Sequence, residues 1–434
     1  MNIKKRILKF LQCKKIKVGI LGQGYVGLPL SMLFDKKGIE VYGFDTNKRK
    51  INLLKQGKSF LSSYSNQEIK NNTKNCKFFN SFEKINDCNI LIICVPTPLK
   101  NKNKPDLSYL KNGIQLIKKN IRSKMKRVIV LESTSYPGTT NEHLIQKFKK
   151  ENIGKDIFIG FSPERINPGI NEKNLQLIPK VVSGYTYNCL EVISQIYRLI
   201  FKKVVKAKKI EEAEFSKVLE NIFRSVNIGF INEMKTIADK MKLDIFDIIK
   251  LSATKPFGFT RFDPGPGVGG HCIPIDPIYL SWKAKQLNMD TKFINLSAKI
   301  NISMISFIMS KVKDLLKNKS KLQNYKILIL GLSYKRNTGD LRESSSLKLI
   351  EALLKNGYRN INFHDPYIDN KIKFKKFNFN KKPINLNEEI LKKSELVILL
   401  TDHNCFNYEF ILKNSKKILD CRGRYKTSKK VIRA

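Results

Sequence analysis

The feature that most constrains the fold is a glycine-rich turn close to the start of the chain. An apolar, β-branched run at 16–21 passes directly into GQGYVG at 22–27, and a segment of helical character follows at 28–37. A second apolar run, Glu40 to Phe44, ends at Asp45. Strand, glycine turn, helix, strand and acid in this order are typical of a dinucleotide-binding site. The glycines let the backbone approach a pyrophosphate at a helix N-terminus, and the acid accepts hydrogen bonds from the ribose hydroxyls.

A lone GxGxxG can also be an ordinary tight turn, but here both the spacing and the flanking strands favour the cofactor interpretation. The acid at position 45 favours NAD over NADP, although Lys48 and Arg49 weaken this preference. We therefore predict a first domain that binds NAD.

Three further apolar runs predict strands at 90–95, 127–131 and 157–161. Lysine-rich helical stretches alternate with them, and this alternation predicts a parallel, doubly wound sheet. Ligands of such sheets bind beyond the carboxyl ends of the strands, so Thr97, Thr134 and Glu164 are expected on the cofactor side. Each threonine taken alone is as well explained as a cap.

The segment from Glu211 to Met241 predicts one long helix, since apolar residues recur within it at three- and four-residue spacing. Such a helix usually bridges two domains or forms a subunit interface. Lys217 and Asn221 lie four residues apart and so share one face of it. The pattern alone favours a surface lysine with a polar neighbour.

Glycines and prolines crowd the segment from Phe262 to Pro277, in which Cys272 follows His271. A structural cysteine is usually buried, and a helix or strand would suit that role better. A cysteine in a loop of this density is better interpreted as a reactive thiolate.

The last part of the chain predicts a second sheet. After a helical stretch at 297–320, a strand, turn and helix unit begins at Tyr325, and further strands are expected at 361–364, 395–400 and 417–419. No GxGxxG accompanies them. We predict a Rossmann-like domain that binds a phosphorylated ligand other than a second copy of the dinucleotide.

The length of 434 residues suggests about three domains. The net charge of +45, from 82 Lys and Arg against 37 Asp and Glu, would by itself favour an anionic partner such as nucleic acid, anionic lipid or a phosphorylated metabolite. The cationic residues are spread along the chain without interleaved aromatic residues that could stack on bases. We interpret them as solvated surface and expect neither a nucleic-acid nor a membrane partner.

The 8 cysteines form no CxxC or regular framework, and only 4 histidines accompany them, so we expect no metal site. This cysteine usage suits a reducing cytosol. The apolar runs are far shorter than the roughly 20 residues of a membrane helix, and lysines interrupt the basic start before a signal-type apolar core develops. A soluble, cytoplasmic protein is expected.

Seven ordered motifs carry a resemblance to a known family. They are GQGYVGLPL (22–30), CVPTP (94–98), ESTSYPGTT (132–140), FSPERINPG (161–169), the helix with Lys217 and Asn221, GPGVGGHCIPIDP (265–277) and GLSYKRNTGDLRESSS (331–346). In this order they resemble the UDP-glucose/GDP-mannose dehydrogenase family over nearly the whole chain, from Val18 to Arg424.

The resemblance implies an α/β fold with two Rossmann-like doubly wound domains joined by a central helical domain with a long helix. We expect an NAD-binding domain at 1–208, a helical dimerisation domain with the catalytic cysteine loop at 209–320, and a UDP-sugar-binding domain at 321–434. The resemblance also implies a homodimer and leaves larger assemblies open.

It further implies an alcohol-to-acid oxidation in which Cys272 holds the aldehyde as a thiohemiacetal and then as a thioester. Lys217 and Asn221 match the residues that stabilise the oxyanion. Asp276 matches an aspartate that works with that lysine and a water in proton transfer. Glu164 matches the general base of thioester hydrolysis, and Thr134 a threonine that orients the water.

The same resemblance supplies the binding residues. The positions that match the cofactor site are Gly22, Gly24, Tyr25, Val26, Gly27, Asp45, Arg49, Thr97, Thr134 and Arg342. The positions that match the substrate site are Glu164, Arg165, Lys217, Asn221, Gly269, Lys335 and Arg422.

Two positions depart from the branch of the family that acts on UDP-glucose. That branch has a second glutamate where this chain has Pro168, and a lysine where this chain has Ile275. SYPGTT, SPERINPG and GGHCIPIDP instead resemble the branch that acts on UDP-N-acetylhexosamines for surface polysaccharides. We therefore expect a 6-dehydrogenase of UDP-N-acetylglucosamine or UDP-N-acetylgalactosamine. The alternatives are the same reaction on UDP-glucose, UDP-N-acetylmannosamine or GDP-mannose, or an inactive nucleic-acid-binding protein on this fold.

Overall fold

The structure is a computed structural model that describes residues 16–61, 63–100, 104–122, 125–165, 172–316 and 322–434. The chain forms two compact units. The N-terminal unit comprises the residues up to Glu220 together with Ile278–Met289, and the C-terminal unit comprises Asn221–Pro277 and Asp290–Ala434. The domain boundaries at 208 and 320 stay a prediction.

The N-terminal unit is built on a parallel sheet. The strands of this unit are β1 (Lys17–Leu21), β2 (Glu40–Phe44), β3 (Cys76–Phe79), β4 (Ile90–Ile93), β5 (Leu99–Lys100), β6 (Lys104–Pro105), β7 (Arg127–Leu131), β8 (Ile157–Phe161), β9 (Lys180–Val182) and β10 (Val204–Lys206). The main sheet has the order β3-β2-β1-β4-β7-β8, so its strand order reverses between β1 and β4. The residues of β4, β7 and β8 are all buried, as expected for a parallel sheet that is covered on both faces.

Helices follow the strands of this unit. They are α1 (Gly27–Asp35), α2 (Lys48–Lys55), α3 (Asn66–Asn72), α4 (Ser108–Asn120), α5 (Gln146–Phe148) and α6 (Tyr187–Arg198). All residues of α1 are buried. This helix is shorter than the predicted segment 28–37, because Gly38 has a φ of +70° and ends it.

A long helix, α7 (Ile210–Lys240), confirms the prediction made from the apolar spacing after Glu211. The helices α8 (Ile245–Ser252), α9 (Asp276–Gln286) and α10 (Lys292–Leu315) follow it. Within the described residues, α10 is long and apolar enough to cross a membrane by length and composition, which is weak evidence because core helices pass the same test. The end of the predicted helical stretch at 317–320 lies outside the described residues.

The C-terminal unit carries the second predicted sheet. Its further elements are β11 (Ile327–Leu330), α11 (Ser345–Lys355), β12 (Ile361–His364), β13 (Ile372–Phe374), β14 (Phe379–Lys381), α12 (Glu388–Lys393), β15 (Leu396–Leu399), α13 (Tyr408–Asn414), β16 (Ile418–Asp420) and β17 (Val431–Arg433). The parallel order is β12-β11-β15-β16-β17. Along β11, Ile327 and Ile329 enter one apolar cluster and Leu328 and Leu330 enter another. Both faces are therefore covered, which confirms the doubly wound class.

Candidate active site

The glycine turn after β1 is shaped by steric necessity. Gly22 has a φ of +93°, and a Cβ at this position would lie 2.4 Å from the carbonyl oxygen of Cys94. A Cβ on Gly27 would lie 1.9 Å from the carbonyl oxygen of Gly22. Gly24 differs, because nothing lies within 4 Å of the place where its Cβ would be. The turn is thus packed against the end of β4 and open at Gly24. A pyrophosphate needs such an open backbone at the glycine turn, so these residues fit NAD.

Asp45 follows β2, beside this turn. Its carboxylate accepts a hydrogen bond of 3.0 Å from the backbone N–H of Gln23. The ammonium of Lys50 lies 3.5 Å from the same carboxylate, whereas Arg49, which the sequence analysis selected, is exposed. The acid is therefore fixed next to the glycine turn, and Lys50 is a neighbour that the motif did not reveal.

The loops after β4 and β7 are held together by a serine. The hydroxyl of Ser133 donates a hydrogen bond of 2.7 Å to the carbonyl oxygen of Val95. Thr97 is buried and Thr134 is half-buried on these two loops. Both threonines therefore follow neighbouring parallel strands, at the edge of the sheet where the sequence placed them.

Glu164 follows β8 and belongs to a buried ionic cluster. Its carboxylate lies 3.6 Å from the ammonium of Lys180, which also contacts the carboxylate of Glu132 at 2.8 Å. The hydroxyl of Tyr197 donates a hydrogen bond to Glu132. Burial raises the pKa of Glu132, and the charge of Lys180 opposes that rise. Sequence reasoning selected Glu164 and missed Lys180 and Glu132 as its neighbours, because they come from segments 48 residues apart.

Arg165 is held by protein groups. Its guanidinium forms an ion pair with Glu220 and donates a hydrogen bond of 3.0 Å to the carbonyl oxygen of Pro179.

Lys217 and Asn221, on α7, are both buried, with 8% and 9% of their surface exposed. The interpretation of Lys217 as a plain surface lysine is therefore wrong.

Glu214 was missed by the sequence analysis although it lies one turn before Lys217. Its buried carboxylate accepts hydrogen bonds from the backbone N–H of Gly138 at 2.6 Å and of Thr140 at 2.8 Å, and from the hydroxyl of Thr140 at 2.6 Å. Burial raises the pKa of Glu214 to about 7, and the hydrogen bonds from Thr140 and Gly138 oppose this rise. The loop that begins at Thr134 is thereby attached to α7. The sequence signal for a buried Glu214 was an acidic residue among the apolar positions of the helix.

Cys272 is exposed in the turn that leads into α9. Its carbonyl oxygen accepts a hydrogen bond of 2.9 Å from the backbone N–H of Asp276, the first residue of that helix. Asp276 is buried, and the side-chain amide of Asn221 donates a 2.5 Å hydrogen bond to its carboxylate. The structure therefore brings together three predicted catalytic residues from two distant segments.

The glycines before Cys272 are required by a close packing of two loops. A Cβ on Gly269 would lie 2.6 Å from the Cβ of Tyr334, and one on Gly270 would lie 2.7 Å from the ring of the same tyrosine. The backbone N–H of Gly270 also donates a 2.9 Å hydrogen bond to the carbonyl oxygen of Arg342. The cysteine loop therefore lies directly on the loop that follows β11.

Three cationic residues border these loops. Lys335 is half-buried on the loop after β11. The guanidinium of Arg342 contacts the carboxylate of Asp340 at 3.0 and 2.6 Å, and its side chain remains 44% exposed. Arg422 donates a 2.6 Å hydrogen bond to a backbone carbonyl, and its Nη1 would lie 2.7 Å from a Cβ on Gly265. Arg422 thus lies at the start of the cysteine loop.

A buried aspartate and histidine, also missed from the sequence, hold the loop after β11. The carboxylate of Asp365 accepts hydrogen bonds from the backbone N–H of Leu332 at 2.7 Å, from that of Ser333 at 2.9 Å and from Nε2 of His403 at 3.1 Å. Nδ1 of His403 accepts a 2.9 Å hydrogen bond from the backbone N–H of Asn337, which assigns the ring proton to Nε2. Burial alone would raise the pKa of Asp365, but the hydrogen bond from His403 and those from the backbone lower it.

Pro168, which departs from the UDP-glucose branch, lies outside the described residues, whereas Ile275 is buried directly before Asp276.

Among the residues that the structure describes, no group of three or more His, Cys, Asp or Glu side chains is arranged to hold a metal ion.

Models of three domains of one family match successive parts of the chain. The NAD binding domain of the UDP-glucose/GDP-mannose dehydrogenase family matches residues 16–201, its central domain matches 211–303 and its UDP binding domain matches 328–427.

Similar proteins cover nearly all of the chain. Protein CapL of Staphylococcus aureus is 36% identical over 94% of this chain and 95% of its own length. The UDP-N-acetyl-D-glucosamine 6-dehydrogenase of Pseudomonas aeruginosa is 36% identical over 82% of this chain and 84% of its own length. The solved structure of a UDP-D-ManNAc dehydrogenase from Pyrococcus horikoshii has a TM-score of 0.85 and 27% identity over 96% of this chain and 98% of that one. The chain belongs to the UDP-glucose/GDP-mannose dehydrogenase family and is an NAD-dependent dehydrogenase of nucleotide sugars.

Proposed function

We propose that this enzyme oxidises the C6 hydroxyl of UDP-N-acetylglucosamine or UDP-N-acetylgalactosamine to the uronic acid, with Cys272 as the nucleophile. The observation that carries the role of Cys272 is the turn in which Cys272 is exposed while Asp276, one turn later, is buried and bound by Asn221 at 2.5 Å. Such a turn presents a thiol to substrate and keeps a carboxylate and an amide in fixed positions beside it. The N-acetylhexosamine assignment is supported by the motifs SYPGTT, SPERINPG and GGHCIPIDP and by the 36% identity to the UDP-N-acetyl-D-glucosamine 6-dehydrogenase of Pseudomonas aeruginosa.

The cysteine solves the main difficulty of a four-electron oxidation. When held by Asp45 and the glycine turn, NAD would supply the hydride acceptor for both oxidation steps. The thiolate of Cys272 attacks the aldehyde carbon after the first step, so the intermediate stays bonded to the enzyme. After the second step the same carbon is a thioester, which water cleaves to the acid.

Each proton transfer needs a partner of suitable charge. Lys217 and Asn221 supply donors to the oxyanion that forms at the substrate oxygen. Asp276 works with Lys217 and a water in moving the proton of the hydroxyl. Glu164 accepts a proton from the water that attacks the thioester, and Thr134 orients that water.

The proposed binding residues come from all three predicted domains. Asp45 and the turn at Gly22, Gly24 and Gly27 hold NAD, with further contacts from Tyr25, Val26, Arg49, Thr97, Thr134 and Arg342. Glu164, Arg165, Gly269, Lys335 and Arg422 contact the nucleotide sugar. The boundaries proposed for the three domains are those predicted from the sequence.

A substrate panel tests the branch assignment. Purified enzyme is incubated separately with NAD and each of UDP-GlcNAc, UDP-GalNAc, UDP-ManNAc, UDP-glucose and GDP-mannose, and NADH absorbance and acid product are measured. We expect two NADH for each acid formed, with the highest kcat/KM for UDP-GlcNAc or UDP-GalNAc. Turnover of UDP-ManNAc or UDP-glucose alone would show that the branch assignment is wrong.

The C-terminal unit also supports a homodimer. A groove of about 300 Å³ between α7 and α8 is lined by apolar side chains. Several of them are exposed, namely Phe230, Ile237, Met241, Leu243 and Ile248. Exposed apolar surface of this kind marks protein interfaces. Light scattering of Phe230→Glu should give a monomer where the unaltered enzyme gives a dimer, and an unchanged mass would reject this face.

The enzyme is proposed to act in the cytoplasm, in the synthesis of a surface polysaccharide. Cys88, Cys189 and Cys421 are buried free thiols, which suits a reducing compartment.

A further inference from the structure

The loop that follows β7 is attached to the rest of its unit on both sides of Thr134. Before it, the hydroxyl of Ser133 donates a 2.7 Å hydrogen bond to a backbone carbonyl in the loop after β4. After it, the carboxylate of Glu214 accepts hydrogen bonds from the backbone N–H of Gly138 at 2.6 Å, from that of Thr140 at 2.8 Å and from the Thr140 hydroxyl at 2.6 Å. Thr134 therefore lies between two fixed points, one residue after the first and four before the second.

The groups that donate to Glu214 require a carboxylate at this position. One carboxylate oxygen accepts from Gly138, and the other accepts from both donors of Thr140. An ionised carboxylate only accepts, so each of its oxygens has a donor. A glutamine of the same shape would replace one oxygen by an NH2 group, which cannot accept from a backbone N–H. One backbone N–H of the loop would then lose its acceptor.

Stability alone does not explain an acid at this place. Burial raises the pKa of Glu214 to about 7, so above this pH the fold contains a charge that burial disfavours. A neutral side chain of the same shape should therefore be at least as stable there. Groups with such perturbed pKa values are typical of functional sites, which directs attention to what Glu214 holds in place.

Glu214 also shares a face of α7 with Lys217. The two side chains are three residues apart on the helix, and both are buried. One turn earlier on the same face, the carboxylate of Glu211 accepts a hydrogen bond from the side-chain amide of Asn141. The end of the loop after β7 is therefore laid along the helix face that carries Lys217.

We propose that Glu214 is a positioning residue that places Thr134 for the hydrolysis of the thioester. The inference rests on the proposed role of Thr134 in orienting the attacking water. In that step the water oxygen bonds to the thioester carbon, a water proton passes to Glu164, and the bond from carbon to sulfur breaks with Cys272 leaving as thiolate. Glu214 acts on this step through the loop, whose backbone it fixes four residues beyond Thr134.

A double-mutant cycle isolates this role. Thr134→Val removes the hydroxyl that orients the water and should slow the decay of the acyl adduct on Cys272. Glu214→Gln should slow that decay by about tenfold or more, since a misplacement of about 1 Å can cost about 100-fold. In the Thr134→Val background, Glu214→Gln should cause little further loss, because the group that it positions is already absent.

The measurement is intact-protein mass spectrometry of the adduct on Cys272 at a series of times after rapid mixing with UDP-GlcNAc and NAD. It is made at about pH 8.5, where Glu214 with its pKa of about 7 is ionised. Glu211→Gln is the matched control on α7, since a glutamine oxygen can still accept from Asn141. Its adduct should decay as in the unaltered enzyme.

Two companion measurements separate misplacement of the loop from loss of the fold. The Tm of Glu214→Gln at about pH 8.5 should be no lower than that of the unaltered enzyme, because the buried charge is gone. Thr140→Val removes only the hydroxyl donor and leaves the carboxylate in place. Its adduct should decay more slowly than that of Glu211→Gln and faster than that of Glu214→Gln, and it provides the test should Glu214→Gln fail to fold.

Two outcomes would overturn the inference. One is decay in Glu214→Gln, or in Thr140→Val where that variant replaces it, as fast as in Glu211→Gln. The other is a double variant in which the two single losses multiply, since Glu214 would then act independently of Thr134. Failure of the proposed function looks different, because Thr134→Val itself would decay like the unaltered enzyme. Slow decay in Thr134→Val with normal decay in Glu214→Gln rejects the positioning role alone.

Discussion

Gly22 and Gly24 are two residues apart in one turn, yet the structure predicts opposite consequences when each is changed to alanine. A side chain at Gly22 has to adopt a φ of +93° and meets the carbonyl oxygen of Cys94 at 2.4 Å. The left-handed backbone costs about 1–2 kcal/mol and the overlap about 1–3 kcal/mol, so Gly22→Ala should lose about 2–5 kcal/mol of folding free energy. Gly24→Ala meets nothing within 4 Å and should change stability by less than about 0.5 kcal/mol.

Gly38→Ala separates backbone strain from steric overlap. Gly38 has a φ of +70° and no atom within 4 Å of a Cβ, so it should lose only about 1–2 kcal/mol. Thermal unfolding followed by circular dichroism measures the difference, because each kcal/mol lowers Tm by about 2–4 °C in a domain of 150–250 residues. Gly22→Ala should therefore unfold several degrees below Gly38→Ala.

The same variants test the cofactor site. Gly24→Ala should fold normally and yet raise the KM for NAD, since its new methyl group would occupy the open side of the turn where the pyrophosphate approaches. The KM for the sugar nucleotide should stay near its original value. Equal Tm values for Gly22→Ala and Gly38→Ala would refute the steric reasoning, and an unchanged NAD KM in Gly24→Ala would refute the position of the pyrophosphate.

Three further predictions concern single side chains. Cys272→Ala should abolish acid formation, measured by mass spectrometry, while NAD binding, measured by fluorescence titration, stays nearly unchanged. Acid production at the original rate would refute the role of Cys272 as the nucleophile. Asp45→Ala should raise the KM for NAD much more than that for sugar nucleotide, and an equal effect on both would contradict its ribose contact. Burial raises the pKa of Glu214 to about 7, so this carboxyl binds its proton more tightly in the folded state than in the unfolded state. The stability that this proton contributes is therefore fully present below the pKa of the unfolded chain and is lost as the pH rises through 7. Glu214→Gln should lack this loss between about pH 4.5 and 7 in urea titrations, and equal pH dependence in both proteins would reject it.

The strands could be predicted where the sequence supplied long apolar runs. β4, β7 and β8 are buried on both faces of a parallel sheet, so nothing polar interrupts them. β3 and β9 escaped prediction because they are short and contain lysine in CKFF and KVV. In these strands the pairing with a neighbour, and not local composition, decides the conformation.

The site was predictable to the extent that its requirements are local. The glycines before Cys272 are visible in the sequence because each leaves room for a neighbouring loop. Lys180 could not be singled out in the sequence, because it is one of 82 cationic residues and only the fold brings it to Glu132 and Glu164. Asp365 and His403 follow β12 and β15, and only the register of the sheet shows that they meet.

Both units place a buried carboxylate at the carboxyl ends of parallel strands and satisfy it in the same manner. Glu132 is bound by Lys180 and Tyr197, and Asp365 by His403 and the backbone of the loop after β11. Polar groups concentrate at this edge because ligands bind there, while the sheet beneath excludes water, so each carboxylate needs donors from other strands. The donors then fix the loops relative to one another. A buried charge that contributes little net stability can in this way determine where the groups that contact the substrate lie.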